Sequence, residues 1–211
     1  MVATFLPLVP VLLIFLRKIY LKESIYLLVI LCLLSFLEGL VRSAPSLTEE
    51  NQQIIHHILL PLLLLVYAQL FRSNLPESGR SLLNILLTAF LSAVITYWSV
   101  KGWERTTPFI DILSAIALIL LILASLPSII HNSQLYIFHS PLFWIAGGTL
   151  FELLLYLLVA WTCPSFSPGT LTASSLSAQL PEKTLFLALA VLARFALYTI
   201  GVLTYRPEKG S

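Results

Sequence analysis

Long apolar stretches separated by short polar connections occupy almost the whole chain. They lie at about 3–20, 24–42, 54–71, 81–100, 108–130, 138–161 and 184–205. Each stretch is close to the ~20 apolar residues that an α-helix needs to cross the hydrocarbon core of a bilayer. The pattern predicts an all-α membrane protein, a seven-transmembrane-helix bundle, with residues 1–211 forming a single integral membrane domain.

The connections between these stretches differ in their content of Lys and Arg. One alternating set contains seven such residues: Arg17, Lys18, Lys22, Arg72, Arg80, Arg206 and Lys209. The other set contains four: Arg42, Lys101, Arg105 and Lys183. Because cytoplasmic loops carry the excess of Lys and Arg, this division predicts an N-terminus outside the cell and a cytoplasmic C-terminus. The one long connection, at about 163–182, is then predicted outside, as a flexible loop or a lid.

Composition supports a bilayer as the main partner of the chain. The sequence is 58% hydrophobic and 10% charged, whereas a soluble domain is typically about 25% charged. The net charge of +2 comes without any basic run, so we expect no nucleic-acid partner. Cys32 and Cys163 have no motif spacing and are predicted to be unpaired thiols.

Four ionisable residues are predicted at similar depth in the outer leaflet. Glu38 lies near the end of the second stretch, His56 and His57 near the start of the third, and Asp111 near the start of the fifth. Together they predict a polar pocket open to the outside. Adjacent histidines point about 100° apart on a helix, so only one of them is expected to face such a pocket.

Three interpretations of these four residues remain open. They are interfacial side chains that reach headgroups and water, a pocket that responds to a ligand or to protons, or a metal site. Zinc takes His and carboxylate ligands, and the metal interpretation names His57, Glu38 and Asp111. No His-x-x-x-His or His-Glu-x-x-His spacing supports it. No cofactor is predicted, with zinc as the possible exception.

Two opposite charges are predicted near the middle of the last two helices. Glu152 and Arg194 lie at similar depth, and either charge alone is costly inside a membrane. We therefore expect a buried ion pair between them, either as a structural pair that fixes helix packing or as a switch or transport element. Tyr156 and Tyr198, each four residues further along, are positioned to hydrogen-bond to the pair.

A short segment before the sixth predicted helix resembles one known group of proteins. Ser140-Pro141-Leu142-Phe143-Trp144-Ile145 and the following Gly-containing apolar run are similar to a segment of small seven-helix membrane proteins, mostly from Bacteroidota. The further matches are Glu38, Asn51, His56 or His57, Pro61 and Asp111. Glu152 departs from the group's pattern, which has an aromatic residue in this region. The resemblance implies a bacterial inner membrane and, by analogy of fold alone, a role in signalling.

Three functions fit these observations. The favoured one is a sensor or signalling accessory, with an outward-facing polar pocket and a separate membrane or cytoplasmic partner as its effector. The second is an intramembrane metal-dependent hydrolase, for example of lipids, in which the same residues hold zinc and activate water. The third is a structural or assembly subunit of a membrane complex. On balance, the sequence favours a protein that is not an enzyme.

Overall fold

The architecture is entirely α-helical over the part of the chain that the structure describes. The structure, a computed structural model, describes residues 2–19, 23–44, 46–72, 74–102, 108–132, 137–162 and 181–205. The α-helices in chain order are α1 (Val2–Phe5), α2 (Leu8–Leu16), α3 (Glu23–Ser43), α4 (Glu49–Arg72), α5 (Glu77–Lys101), α6 (Pro108–Asn132), α7 (Pro141–Thr162) and α8 (Pro181–Thr204). A 3₁₀ turn at Ile137–His139 precedes α7. Most of the predicted 163–182 connection lies outside the described residues.

The six helices α3 to α8 are each long and apolar enough to cross a bilayer. Their outward surfaces carry large aliphatic side chains, including Leu33, Leu62, Ile95, Leu120, Leu154 and Leu189. A soluble monomer rarely exposes apolar surface on this scale, because contact with water is unfavourable. The prediction of an all-α integral membrane protein is therefore confirmed at this level.

The N-terminal segment differs from the single helix predicted at 3–20. It forms two short helices that are interrupted at Leu6 and Pro7. The second helix stops at Leu16, where Lys18 adopts a left-handed φ of 54°. The N–H of Lys18 bonds to Phe15 and that of Ile19 to Ile14, which is the bonding pattern of a Schellman cap. Proline at the break and this cap shorten the helix that the apolar pattern alone predicts.

The two short helices nevertheless extend between opposite faces of the bundle. The Ser43 face holds the end of α3 and the start of α4, while the Arg72 face holds the end of α4 and the end of α8. At one end of the segment, Thr4 Oγ1 lies 3.2 Å from Ser43 Oγ. At the other end, the Arg17 guanidinium donates to the carbonyls of Val202 and Leu203 in the last turn of α8 and to that of Tyr205 just after it. Cations are favoured at helix C-termini, so Arg17 fixes the segment there.

A ring of helices encloses the centre of the bundle. Going round the ring, α3 packs on α4, α4 on α6, α6 on α7, and α7 on α8, and the N-terminal segment closes the gap between α8 and α3. Helix α5 lies outside this ring against α4 and α6. The ring therefore contains every helix that carries a sequence-predicted site residue.

The closest packing in the ring is between α7 and α8, and two glycines permit it. A Cβ atom added at Gly148 would lie 3.0 Å from the backbone oxygen of Arg194. One added at Gly201 would lie 3.0 Å from Cβ of Trp144. Small residues at such crossings allow membrane helices to approach closely. By contrast, a Cβ at Gly147 would meet nothing within 4 Å.

Candidate functional site: a charged cavity inside the helix ring

Four polar side chains from three helices meet near the Ser43 face. Arg42 and Glu38 are one turn apart on α3, and the Arg42 guanidinium donates to Glu38 Oε1 at 2.6 Å. His56 of α4 lies between two carboxylates, with Nδ1 2.9 Å from Glu38 Oε1 and Nε2 3.1 Å from Asp111 Oδ1. Asp111 belongs to the first turn of α6. This charged cluster therefore links α3, α4 and α6 across the predicted outer end of the bundle.

The position of His56 favours its doubly protonated form. A neutral imidazole has one N–H and one lone pair, so it would turn a lone pair toward one of the two carboxylates. An imidazolium offers an N–H to each. Arg42 Nη2 also lies 3.2 Å from His56 Nδ1, because both donors converge on Glu38 Oε1. With Arg42 and His56 positive and Glu38 and Asp111 negative, the cluster has no net charge.

The two adjacent histidines have different surroundings. His56 contacts the carboxylates. His57 is 2% exposed, and its Nδ1 has no hydrogen-bond partner among the described residues. Of the two histidines, the structure thus places His56 in the charged cluster.

Of the predicted zinc ligands His57, Glu38 and Asp111, the structure brings the two carboxylates within hydrogen-bond distance of His56. Among the described residues, no group of three His, Cys, Asp or Glu side chains converges as metal ligands do. Arg42, 2.6 Å from Glu38, already places a positive charge where a cation would bind. Zinc binding here stays a prediction from the sequence.

The second charged group is the pair between α7 and α8. Arg194 Nη1 donates to Glu152 Oε2 at 2.5 Å, so the structure brings together the two residues that the sequence pairs. The close approach at Gly148, one turn before Glu152, puts the two helices near enough for this contact. The Arg194 guanidinium also lies 4.3 Å from the centre of the Phe195 ring, a favourable cation–π geometry.

A hydroxyl trio lies beyond the pair, toward the Arg72 face. Tyr198 Oη is 2.7 Å from Tyr67 Oη and 2.6 Å from Thr149 Oγ1. Thr149 Oγ1 is also 3.3 Å from Tyr67 Oη. Tyr198 therefore bonds to these two hydroxyls and not to the Glu152–Arg194 pair. Buried hydroxyls that satisfy one another in this way fix the relative positions of α4, α7 and α8.

One cavity connects all three polar groups. Its volume is about 410 Å³, within the roughly 300–1,000 Å³ typical of small-molecule sites. The polar lining includes Glu38, Arg42, His56, Asp111, Glu152, Arg194, Tyr67 and Thr149. The rest of its wall is largely aliphatic and includes Leu60, Leu63, Leu118, Leu153 and Val191. Such a mixture suits an amphipathic organic molecule better than a bare ion.

The cavity ends before it reaches the Arg72 face. Its lining runs from Ser43 at the C-terminal end of α3 to Tyr67 and Thr149 in the hydroxyl trio. One turn beyond the tyrosines lie Phe71 and Val202, which are 0% and 1% exposed. Among the described residues, no lining residue lies beyond the hydroxyl trio, and these buried apolar side chains follow it. We call the cavity one-ended in this sense.

Sequence reasoning missed part of this site. Arg42 was assigned only to a connection, although its i, i+4 spacing from Glu38 is a signal for an ion pair on one helix face. Tyr67 and Thr149 carried no such signal, because hydroxyl side chains are common in membrane helices and their partners lie on other helices. The cavity itself depends on how six segments pack, which spacing along one chain does not reveal.

Comparison of the chain with protein-family models, with curated proteins and with solved structures finds no match. The argument for function therefore depends on the cavity and its residues.

Proposed function

We propose that this chain is a seven-span membrane sensor or signalling accessory that binds a small ligand in the cavity. The N-terminus lies outside and the C-terminus in the cytoplasm, as the distribution of Lys and Arg favours. The N-terminal segment serves as the seventh span despite its break, since its contacts reach both faces of the bundle. The Ser43 face is then the outer face, and a bacterial cytoplasmic membrane is the proposed location.

The observation that carries this proposal is the one-ended cavity with charged groups in its wall. Membrane helices rarely contain ionisable side chains without a functional reason, because each is costly to insert. Here, three carboxylates, two guanidiniums and one imidazole line a single cavity. A closed end at the hydroxyl trio favours binding over conduction.

Ligand binding in this cavity would act on the positions of several helices. The charged cluster joins α3, α4 and α6, and the Glu152–Arg194 pair joins α7 and α8. A ligand that contacts both groups changes the contacts between these helices, and differential contacts of this kind shift a conformational equilibrium. In this proposal, the helix ends at the Arg72 face pass the change to a separate protein partner.

The ligand-binding function is tested by mass spectrometry of small molecules extracted from protein purified under mild conditions. Three proteins are compared: the wild type, Ala115→Phe and Ala89→Phe. Ala115 lines the cavity, and Ala89 lies exposed on α5 outside the ring. We expect a compound in near-stoichiometric amount with the wild type and Ala89→Phe that is absent with Ala115→Phe. Identical extracts from all three would contradict the proposal.

The proposed orientation is tested by cysteine labelling in intact cells. Ser43→Cys and Ser78→Cys, each in a background lacking Cys32 and Cys163, place one exposed thiol near each face of the bundle. A membrane-impermeant thiol reagent is expected to label Ser43→Cys from outside, and to label Ser78→Cys only after the cells are opened. The reverse result would place the Ser43 face in the cytoplasm.

A further inference from the structure

The charges in the cavity wall indicate the class of ligand, and this inference rests on the proposed ligand-binding function. Glu38, Asp111 and Glu152 supply three negative charges, and Arg42 and Arg194 supply two positive ones. His56, held between two carboxylates at 2.9 and 3.1 Å, supplies the third positive charge. Among the described residues, the charges of the cavity wall are therefore balanced before any ligand enters it.

A balanced wall discriminates between ligands by their net charge. A ligand with one net charge leaves that charge uncompensated inside the bundle, where desolvation is costly and charges are screened less than in bulk water. A ligand with no net charge avoids this cost and still finds donors and acceptors in the wall. Glu152 and Arg194 are joined through a single contact, between Oε2 and Nη1. The pair therefore offers a ligand both an acceptor, on Glu152, and a donor, on Arg194.

The aliphatic part of the wall indicates the rest of the ligand. Leu60, Leu63, Leu118, Leu153 and Val191 line the cavity beside the polar groups. Burying apolar atoms against such side chains is favourable, because it removes them from water. We propose that the cavity selects a small amphipathic molecule of zero net charge, either zwitterionic or uncharged, with a polar head among the charged groups and a branched or short apolar tail against the leucines.

Four compounds of one shape and different charge test this selectivity. Leucine is a zwitterion and 4-methylpentanamide is uncharged, whereas leucinamide, with its amine protonated, is a cation and 4-methylpentanoate is an anion. Binding of each is measured by equilibrium dialysis against protein in nanodiscs. The value for Ala115→Phe is subtracted to remove partition into lipid. We expect the net-neutral pair to bind at least about tenfold more tightly than the charged pair.

The second part of the test changes the charge of one residue in the cavity wall. Arg42→Gln removes a positive charge from a side chain that is already 36% exposed, so the variant is expected to fold. The cavity wall of this variant has one net negative charge. The affinity for leucinamide relative to the net-neutral compounds should therefore rise about tenfold. If Arg42 has a purely structural role, the substitution would weaken the binding of all four compounds equally.

The outcomes separate this inference from the proposed function. Equal binding of a charged compound and the net-neutral ones to the wild type would overturn the charge rule while leaving a binding cavity in place. An unchanged order of affinities in Arg42→Gln would also overturn it. If none of the four binds the wild type more than Ala115→Phe, the inferred ligand class is overturned, whereas the ligand-binding function itself is decided by the extraction experiment.

Discussion

The two charged groups of the cavity compensate their buried charges in different ways. Near the Ser43 face, Glu38, Arg42, His56 and Asp111 form a cluster in which each charge has at least one opposite partner, and Glu38 and His56 have two each. Near the middle of the bundle, Glu152 and Arg194 have only each other as ionic partners among the described residues. The cluster shares its charges among three helices, while the pair depends on one contact between two.

This difference shows how the depth of a charged residue in the membrane determines whether it has other partners when one is lost. Arg42, at the C-terminal end of α3, is partly exposed and can reach water or headgroups if its partner is lost. Arg194 lies in the middle of α8 and has no such alternative, since a charge there is far from both interfaces. The pair should therefore be the more sensitive of the two groups to single substitutions, and the cluster the more tolerant.

The largest expected effect comes from breaking the central pair. Arg194→Gln leaves the Glu152 carboxylate buried without an ionic partner and should destabilise the protein by about 3–5 kcal/mol. The double variant Glu152→Gln/Arg194→Gln removes both charges and should recover most of this loss. The free energy of unfolding of the single and the double variant is measured in mixed micelles. Equal destabilisation of the single and double variants would show that the charges do not act as a pair.

A smaller loss is expected at His56, because the cluster retains the Arg42–Glu38 contact. His56→Leu removes the group that bonds to Asp111, a carboxylate that is only 7% exposed, and should cost about 2–3 kcal/mol. The matched variant is His57→Leu, at the neighbouring residue, which should cost less than about 1 kcal/mol because Nδ1 of His57 has no partner to lose. A reversed order in thermal unfolding would mean that His57 is the residue on which the site depends.

A moderate loss of stability is expected from a substitution where α7 and α8 cross, one turn from the central pair. Gly148→Ala places a methyl group 3.0 Å from the Arg194 carbonyl oxygen and should separate α7 from α8, at a cost of about 1–3 kcal/mol. Gly147→Ala is the control, because nothing lies within 4 Å of its added atom. It should be neutral or slightly stabilising, since alanine favours helix over glycine. Similar unfolding midpoints for the two variants would contradict the proposed crossing.

The smallest effect is expected from metal removal. Because Arg42 occupies the space beside Glu38, we expect no stoichiometric zinc in the purified protein and no shift of its unfolding midpoint with a chelator. Metal analysis and a thermal scan with and without chelator check this. Zinc that disappears in His56→Leu would instead support the intramembrane hydrolase.

The sequence predicted those features that depend on local pattern. Six long apolar helices follow from stretches of the length that a bilayer requires. The pairing of Glu152 with Arg194 follows from the cost of an isolated charge, which makes each residue the expected partner of the other. The prediction that one histidine alone faces the site follows from helical geometry.

Features that depend on packing between distant segments could not be predicted. The sequence treated the outer residues and the central pair as separate, but the cavity joins them because α7 and α8 pack in the same ring as α3, α4 and α6. The choice between His56 and His57 depends on the rotation of α4 about its axis, which the apolar residues all round this helix do not specify. The break at Pro7 was missed because apolar content alone was counted.

The central claim is that one cavity enters the bundle from the Ser43 face and ends at the hydroxyl trio. The most direct test is the reaction of single cysteines with N-ethylmaleimide, a small uncharged reagent, in a background lacking Cys32 and Cys163. Ser35→Cys lies in the cavity wall, and Val202→Cys lies one turn beyond Tyr198. Because only a thiolate in contact with water reacts readily, we predict rapid reaction at Ser35→Cys and none at Val202→Cys. Reaction at both positions would indicate a continuous channel, and reaction at neither would contradict an open cavity.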